Sequence, residues 1–378
     1  MSRIYLDNAA TTPLDPTVAD AMMHVMQQHY GNPSSIHAEG RQARTLVEQA
    51  RRTVAHHLRA SIGDVFFTSG GTESSNMVLK GAVRDLGITR IISSPIEHHC
   101  VLHSLDYLKQ HYPQVEIVLL PLSDTGHPDI SVLEHLLQAD DRPTLVSLMH
   151  ANNEIGTRID LQQFGQLCQQ YGALFHSDTV QTIGFYPIDL SQLPVHFITG
   201  SAHKFHGPKG VGFVYINGSH QLKPFIDGGA QERNMRGGTE NVYGVTGLAK
   251  ALDLAYTHLP QREAHIRELR AYLLEELALH FPQVTFNGDV AQGHYKVLNL
   301  RFPLSPATEL LLFNLDIAGI SVSGGSACSS GTDTGSHVIR ALRGDADDAV
   351  NLRVSFSHYN TQQDVASFLS ALRGIVEK

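Results

Sequence analysis

The sequence predicts an α/β fold with a mostly parallel central sheet, joined to a smaller α+β unit, and three observations lead there. Apolar runs of roughly four to eight residues alternate with amphipathic stretches of about ten or more between residues 65 and 216. Glycine- and serine-rich turns close several of those runs, as at Ser69-Gly-Gly-Thr72. After about Pro260 the rhythm changes to one long helix and a few separated strands.

Taken in order, the run Val65-Phe-Phe-Thr68 is a strand that ends at Ser69-Gly-Gly and opens a helix over 73–83. A strand over 90–93 precedes a helix from about residue 101. A continuous apolar strand over 115–122 turns at Asp124-Thr-Gly126 into a helix near 131–138. A strand over 144–150 is followed by a helix over 161–171 with Leu161, Phe164 and Leu167 on one face, then by strands over 173–176, 196–199 and 211–216. Strands separated by helices pair in parallel, and ligands of such sheets gather at the strands' carboxyl ends. In the second part, Ile266, Leu269, Leu273, Leu274 and Leu277 share one side of a long helix. Strands at 284–286 and 296–302, a helix near 306–315, a loop, a strand over 351–357 and a closing helix from Gln362 complete the chain.

Composition narrows the function. The 378 residues carry a net charge of −9, which argues against nucleic acid or an anionic membrane as the partner. No apolar run approaches the ~20 residues that span a bilayer, and the first residues lack the layout of a signal peptide. Cys100, Cys168 and Cys328 form no C-x-x-C pair and leave an odd count. The expectation is a cytoplasmic protein in a reducing compartment, without a disulfide framework. His99, Cys100 and His103 are close in sequence, but His-Glu-x-x-His is absent and no second cluster supplies further ligands, so no metal is expected.

Four segments carry chemistry. Ser201-Ala-His203-Lys204 follows an apolar strand, where a lysine could form an imine with an aldehyde cofactor or simply occupy a surface turn. Ser69-Gly-Gly71-Thr72 stands between a strand and a helix, as a phosphate cradle would, although a Thr72-capped helix start explains it equally. His176-Ser-Asp178-Thr-Val-Gln181 ends another strand. Asp178 there could pair with a protonated pyridine nitrogen or cap a helix, and Gln181 could bond the cofactor's phenolic oxygen. Ser323-Gly-Gly-Ser-Ala-Cys328-Ser-Ser-Gly331 surrounds one thiol with small residues, either a working loop or an exposed one. Cys168 lies on an amphipathic helix and reads as structural.

Together with Leu6-Asp-Asn-Ala-Ala-Thr-Thr-Pro13, Tyr30-Gly-Asn-Pro-Ser-Ser35, Glu97-His-His99, His150-Ala-Asn-Asn-Glu-Ile-Gly156 and Arg236-Gly-Gly-Thr-Glu-Asn241, these motifs run in order along nearly the whole chain. The sequence thereby resembles the cysteine desulfurases, in the group of nitrogen-fixation and housekeeping iron–sulfur type with the longer cysteine loop. The resemblance implies a fold-type-I enzyme dependent on pyridoxal 5'-phosphate, acting as a homodimer. It would have a large cofactor-binding domain over 16–260 and a small domain made of 1–15 and 261–378.

The resemblance also implies roles. Lys204 would bond the cofactor, with Gly71, Thr72, Ser201 and His203 at its phosphate and Thr239 reaching that phosphate from the other subunit. Asp178 would keep the ring nitrogen protonated, Gln181 would bond the ring oxygen, and His98 would stack on the ring and help move protons. Asn153 and Arg353 would hold the substrate carboxylate, Arg353 through paired bonds. L-cysteine would yield L-alanine and a persulfide on Cys328, for passage to a sulfur acceptor or an iron–sulfur scaffold protein. The chain ends at Lys378, soon after Arg353, without the longer tail with which housekeeping members contact their scaffold. Sibling activities on this fold are selenocysteine lyase and class V aminotransferase, the latter needing no thiol. A non-catalytic sulfur-relay partner would not need Lys204, Asp178, His98 and Cys328 together.

Overall fold

The computed structural model describes residues 3–324, 335–345 and 348–377. The chain enters through β1 (Ile4–Tyr5) and two helices, α1 (Pro16–Gln28) and α2 (Ala38–Leu58). The first begins sharply, because Pro16 is preset for a helical first turn and the Asp15 side chain accepts from the Thr17 N–H. Then follow β2 (Val65–Thr68), α3 (Gly71–Leu86), β3 (Arg90–Ser93), α4 (His99–His111), β4 (Glu116–Leu119), α5 (Ile130–Gln138), β5 (Thr144–Ser147), α6 (Leu161–Gln170), β6 (Leu174–Asp178), β7 (Phe197–Ser201) and β8 (Gly212–Ile216).

The seven strands β2 to β8 form one sheet in the order β2-β8-β7-β6-β5-β3-β4. Neighbours are parallel from β7 to β4, and β8 alone runs against both β7 and β2. That reversal follows from the link between β7 and β8, which has no crossover helix and so returns the chain alongside itself. Alternate residues serve opposite faces. Phe66, Val214 and Phe197 pack with α3 and α4, while Val65, Phe67, Phe213 and Tyr215 pack on the side of α1 and α2. The expected strand over 115–122 is only β4, with Glu116 and Leu119 exposed, because it is the outermost strand and pairs on one side alone.

The second part begins with a kinked turn, α7 (Gln231–Asn234), followed by α8 (Val242–Thr257) and α9 (Leu259–His280). Next come β9 (Thr285–Asn287), β10 (Val297–Pro303), α10 (Leu311–Ile317), β11 (Ile320–Ser321), α11 (His337–Arg343), β12 (Ala349–Ser355) and α12 (Gln362–Val376). An antiparallel sheet runs β12-β10-β9, and β1 pairs in parallel with β11. The expected helix over 306–315 starts five residues late. Ser305 and Thr308 exchange side-chain and backbone hydrogen bonds and hold a turn there instead. Five helices, α1, α2, α7, α8 and α11, have no counterpart among the expected elements, and α8 packs against α1 and α2.

Candidate active site

A cavity of about 520 Å³ opens where the sheet's strands end. β2 runs out at Thr68 into Gly70–Thr72, β6 at Asp178, and β7 at Ser201 before a single turn carrying His203 and Lys204. β3 leads through Glu97 to His98, and β5 to Asn153. The parallel register sends all these ends the same way, so residues far apart in sequence line one space.

At one end of the cavity, α3 starts without any side-chain cap, leaving first-turn N–H groups for a ligand. Gly70, the residue before it, has φ of 150°, in the region that favours glycine. A Cβ on Gly71 would come within 2.6 Å of Val180 Cγ2. Ser201 Oγ lies 3.6 Å from where a Cβ on Gly70 would stand, which brings β7 up to this helix start. His203 meets Thr11 Oγ1 through Nδ1 at 3.1 Å, and burial, helped by Lys204, pulls its pKa down to about 3.

Lys204 Nζ donates to the carbonyls of Ala9 and Ala10, each at 2.8 Å. Asp178 is buried and accepts from the Val180 N–H at 2.9 Å. Burial raises its pKa, against the pull of that N–H and of Lys204. Gln181 donates through Nε2 to the Ala9 carbonyl, and its Oε1 is buried without a partner among the described residues. His98 caps α4, its Nδ1 accepting from the Cys100 N–H at 3.1 Å. Burial and the charge on Lys204 bring its pKa down to about 4, so the ring is neutral, with its proton on Nε2.

Arg353 comes from β12 and donates to the Asn153 carbonyl at 2.9 Å, while Asp7 Oδ1 stands 2.6 Å from its guanidinium. Glu154 also lines the cavity. Ser336 Oγ donates to its Oε2 at 2.5 Å, and burial raises its pKa. The expected phosphate ligand Thr239 is exposed and lies apart from this cavity, beside Glu232 and Arg236 in a smaller one. Cys328 lies outside the described residues. Cys100 borders the cavity but is buried and Cys168 is fully buried, with both thiols pushed up to about 12 by burial. Sequence reasoning did not single out Asp7, the carbonyls of Ala9 and Ala10, Glu154 or His337. Asp7 and Glu154 stood within motifs quoted above, but nothing in their spacing ties them to Arg353 or Ser336.

A strand-end cavity holding a lysine, a buried carboxylate and an uncapped helix start defines a class of cofactor-binding α/β enzyme. The chain belongs to the aminotransferase class-V family, whose model matches residues 4–368. It is 40% identical to a protein named cysteine desulfurase IscS from Dictyoglomus turgidum, covering 99% of this chain and 95% of that one. It is 37% identical, over 100% of both chains, to the putative cysteine desulfurase IscS 1 of Bacillus subtilis. Among solved structures it matches one titled NIFS-like protein, with a TM-score of 0.91, 35% identity and 99% coverage of each chain. Another, titled SspA in complex with cysteine, matches with a TM-score of 0.80 and 29% identity over 95% of this chain and 100% of that one.

Proposed function

We propose that this chain is a cysteine desulfurase that holds pyridoxal 5'-phosphate at Lys204, takes the sulfur of L-cysteine onto Cys328 as a persulfide and releases L-alanine. The observation that carries this reading is the set of groups around Lys204: a buried carboxylate, a neutral imidazole and an uncapped helix N-terminus in one cavity. The cysteine desulfurase names of its relatives support it.

The residues fit that cofactor. The start of α3, with Thr72, Ser201 and His203, suits a phosphate. Asp178, raised by burial, would gain a cation in a protonated ring nitrogen. The orphaned Oε1 of Gln181 would find a donor in the ring hydroxyl. Bound there, the cofactor supplies an aldehyde for an amine and a ring that draws electrons from the substrate. Lys204 Nζ serves as the anchoring amine and as the base for the substrate's α-proton. His98, with Nδ1 engaged, offers the cavity its Nε2–H. Arg353 and Asn153 hold the substrate carboxylate. The Cβ–S bond of L-cysteine breaks as Cys328 takes its sulfur, and the persulfide passes to an acceptor, as in iron–sulfur cluster assembly.

We infer likewise that the working form is a homodimer, a reading supported by the exposed position of Thr239 away from its own chain's cavity. Residues 1–15 would group with 261–378 against 16–260, a division that the pairing of β1 with β11 supports. No helix among the described residues is long and apolar enough to cross a membrane.

The test is Lys204→Ala. The reconstituted wild type should show a visible cofactor band and release alanine and sulfide from L-cysteine, whereas the variant should lose the band and at least about 10³-fold in turnover. A variant that keeps a borohydride-trappable cofactor and normal activity would remove Lys204 from this role. Keto-acid formation in place of sulfide would favour an aminotransferase.

A further inference from the structure

Arg353 meets the cavity with most of its donors engaged. Its side chain is 1% exposed. Nη1 donates to the Asn153 carbonyl, Nη2 donates to Asp7 Oδ1 at 2.6 Å and to Ser323 Oγ at 2.8 Å, and Nε is buried without a partner among the described residues. An Nη group carries two hydrogens, so both on Nη2 are taken. A guanidinium grips a carboxylate in a paired fashion either end-on, with Nη1 and Nη2, or side-on, with Nε and Nη2. Either fork needs Nη2. A substrate carboxylate held by two bonds must therefore displace one of its present partners.

The two partners are unequal. The bond to Asp7 joins opposite charges and is the shorter, whereas Ser323 offers a neutral hydroxyl. That hydroxyl itself donates to the same Asp7 Oδ1 at 2.7 Å, so on losing Arg353 it keeps a partner and nothing buried is orphaned. The backbone holds the three residues in place. Asp7 bridges to Ser355, and Ser323 and Arg353 exchange main-chain hydrogen bonds at 3.3 and 2.6 Å. We infer that Asp7 is a positioning residue for substrate recognition, locking the Arg353 guanidinium, and that Ser323 is the exchangeable occupant of Nη2 which the substrate carboxylate displaces. This rests on the reading of Arg353 as the carboxylate ligand for L-cysteine.

The experiment uses the cofactor-loaded full chain. KM and kcat are measured for L-cysteine, and the visible band is titrated with L-alanine and with cysteamine, which has an amine and a thiol but no carboxylate. Asp7→Ala should raise KM and the L-alanine Kd about tenfold or more, with kcat within about threefold and the cysteamine Kd within about twofold. Asp7→Asn keeps the shape and an acceptor, and should give a smaller shift in the same sense if the alanine variant fails to fold. Ser323→Ala, by removing the competitor, should tighten L-alanine about two- to fivefold. Equal weakening of cysteamine, a loss confined to kcat, or weaker L-alanine binding in Ser323→Ala would each overturn the inference. A wild type that yields neither alanine nor sulfide from L-cysteine would instead overturn the proposed function, because the contrast between L-alanine and cysteamine does not depend on turnover.

Discussion

A buried thiol is a poor nucleophile because the low-dielectric surroundings oppose its anion. With both pushed up to about 12, Cys100 and Cys168 are thiolate in only about one molecule in 10⁴ or fewer near neutral pH. Neither therefore competes with Cys328, the thiol proposed above for sulfur transfer. Cys328→Ser should keep the cofactor band, because Lys204 and the start of α3 are untouched, but should accumulate no persulfide. Cys100→Ser and Cys168→Ala should keep at least about half the wild-type turnover. Mass spectrometry after one equivalent of L-cysteine should find one added sulfur, on the peptide containing Cys328. Sulfur on Cys100 together with an active Cys328→Ser would overturn the assignment. Asp178 and Lys204 were legible in the sequence because they stand at or just after the ends of apolar strands, whereas His98 came only from the resemblance. The partners of Arg353 were not, since Asp7 and Ser323 lie more than three hundred residues apart and meet only through the pairing of β1 with β11 and the bridge from Asp7 to Ser355.

At the scale of elements, the sheet was legible because its buried strands are short uninterrupted apolar runs, such as Val65–Thr68, set apart by amphipathic helices such as α6. α8 escaped notice for the opposite reason. Val242, Val245, Leu248, Ala249, Leu252 and Ala255 are buried together with Gly244 and Gly247, so small residues make up much of its buried face and the contrast with the narrow polar stripe of Thr246, Lys250, Asp253 and Thr257 is weak. On the proposed function, the start of α3 is where an element would act directly on the cofactor. Gly71 has no backbone need for glycine, but any side chain there meets Val180, and the backbone must stay close to deliver its N–H groups. Gly71→Ala should therefore raise the Kd for pyridoxal phosphate about tenfold or more while circular dichroism stays unchanged, and adding Val180→Ala should restore most of the loss. Unchanged cofactor affinity in Gly71→Ala would mean that the helix start does not hold the phosphate.

The whole molecule carries 23 histidines, and composition alone could not say which of them water reaches. Several are buried with only neutral partners. His176 meets Ser147 Oγ at 2.8 Å, His150 meets Thr182 Oγ1 at 2.9 Å, His206 meets the Pro13 carbonyl at 2.9 Å and His294 meets the Gln181 carbonyl at 2.8 Å. With no carboxylate to favour the charged ring, burial brings His150, His176 and His206 down to about 3 and His294 well below its ordinary value. Burial likewise lowers His98, His196 and His358 to about 4 and His203 to about 3, in His358 against the nearby charge of Asp15. Above the unfolded value near 6.5 these rings are neutral in both states and have no effect. Below it the unfolded chain takes up protons that the folded chain refuses until about pH 4 to 3, so each ring removes up to about 1.4 kcal/mol of stability per pH unit through that window. Glu97, raised to about 8, and Glu154 and Asp178, also raised, act the other way, because the folded state binds their protons first. The imidazoles outnumber them. Urea unfolding should accordingly show a loss on the order of a few kcal/mol between pH 7 and 5.5, far above the range where ordinary carboxyl groups titrate. A midpoint that stays flat or rises over that interval would mean that these rings are charged in the folded protein, or that the carboxyl groups dominate its acid response.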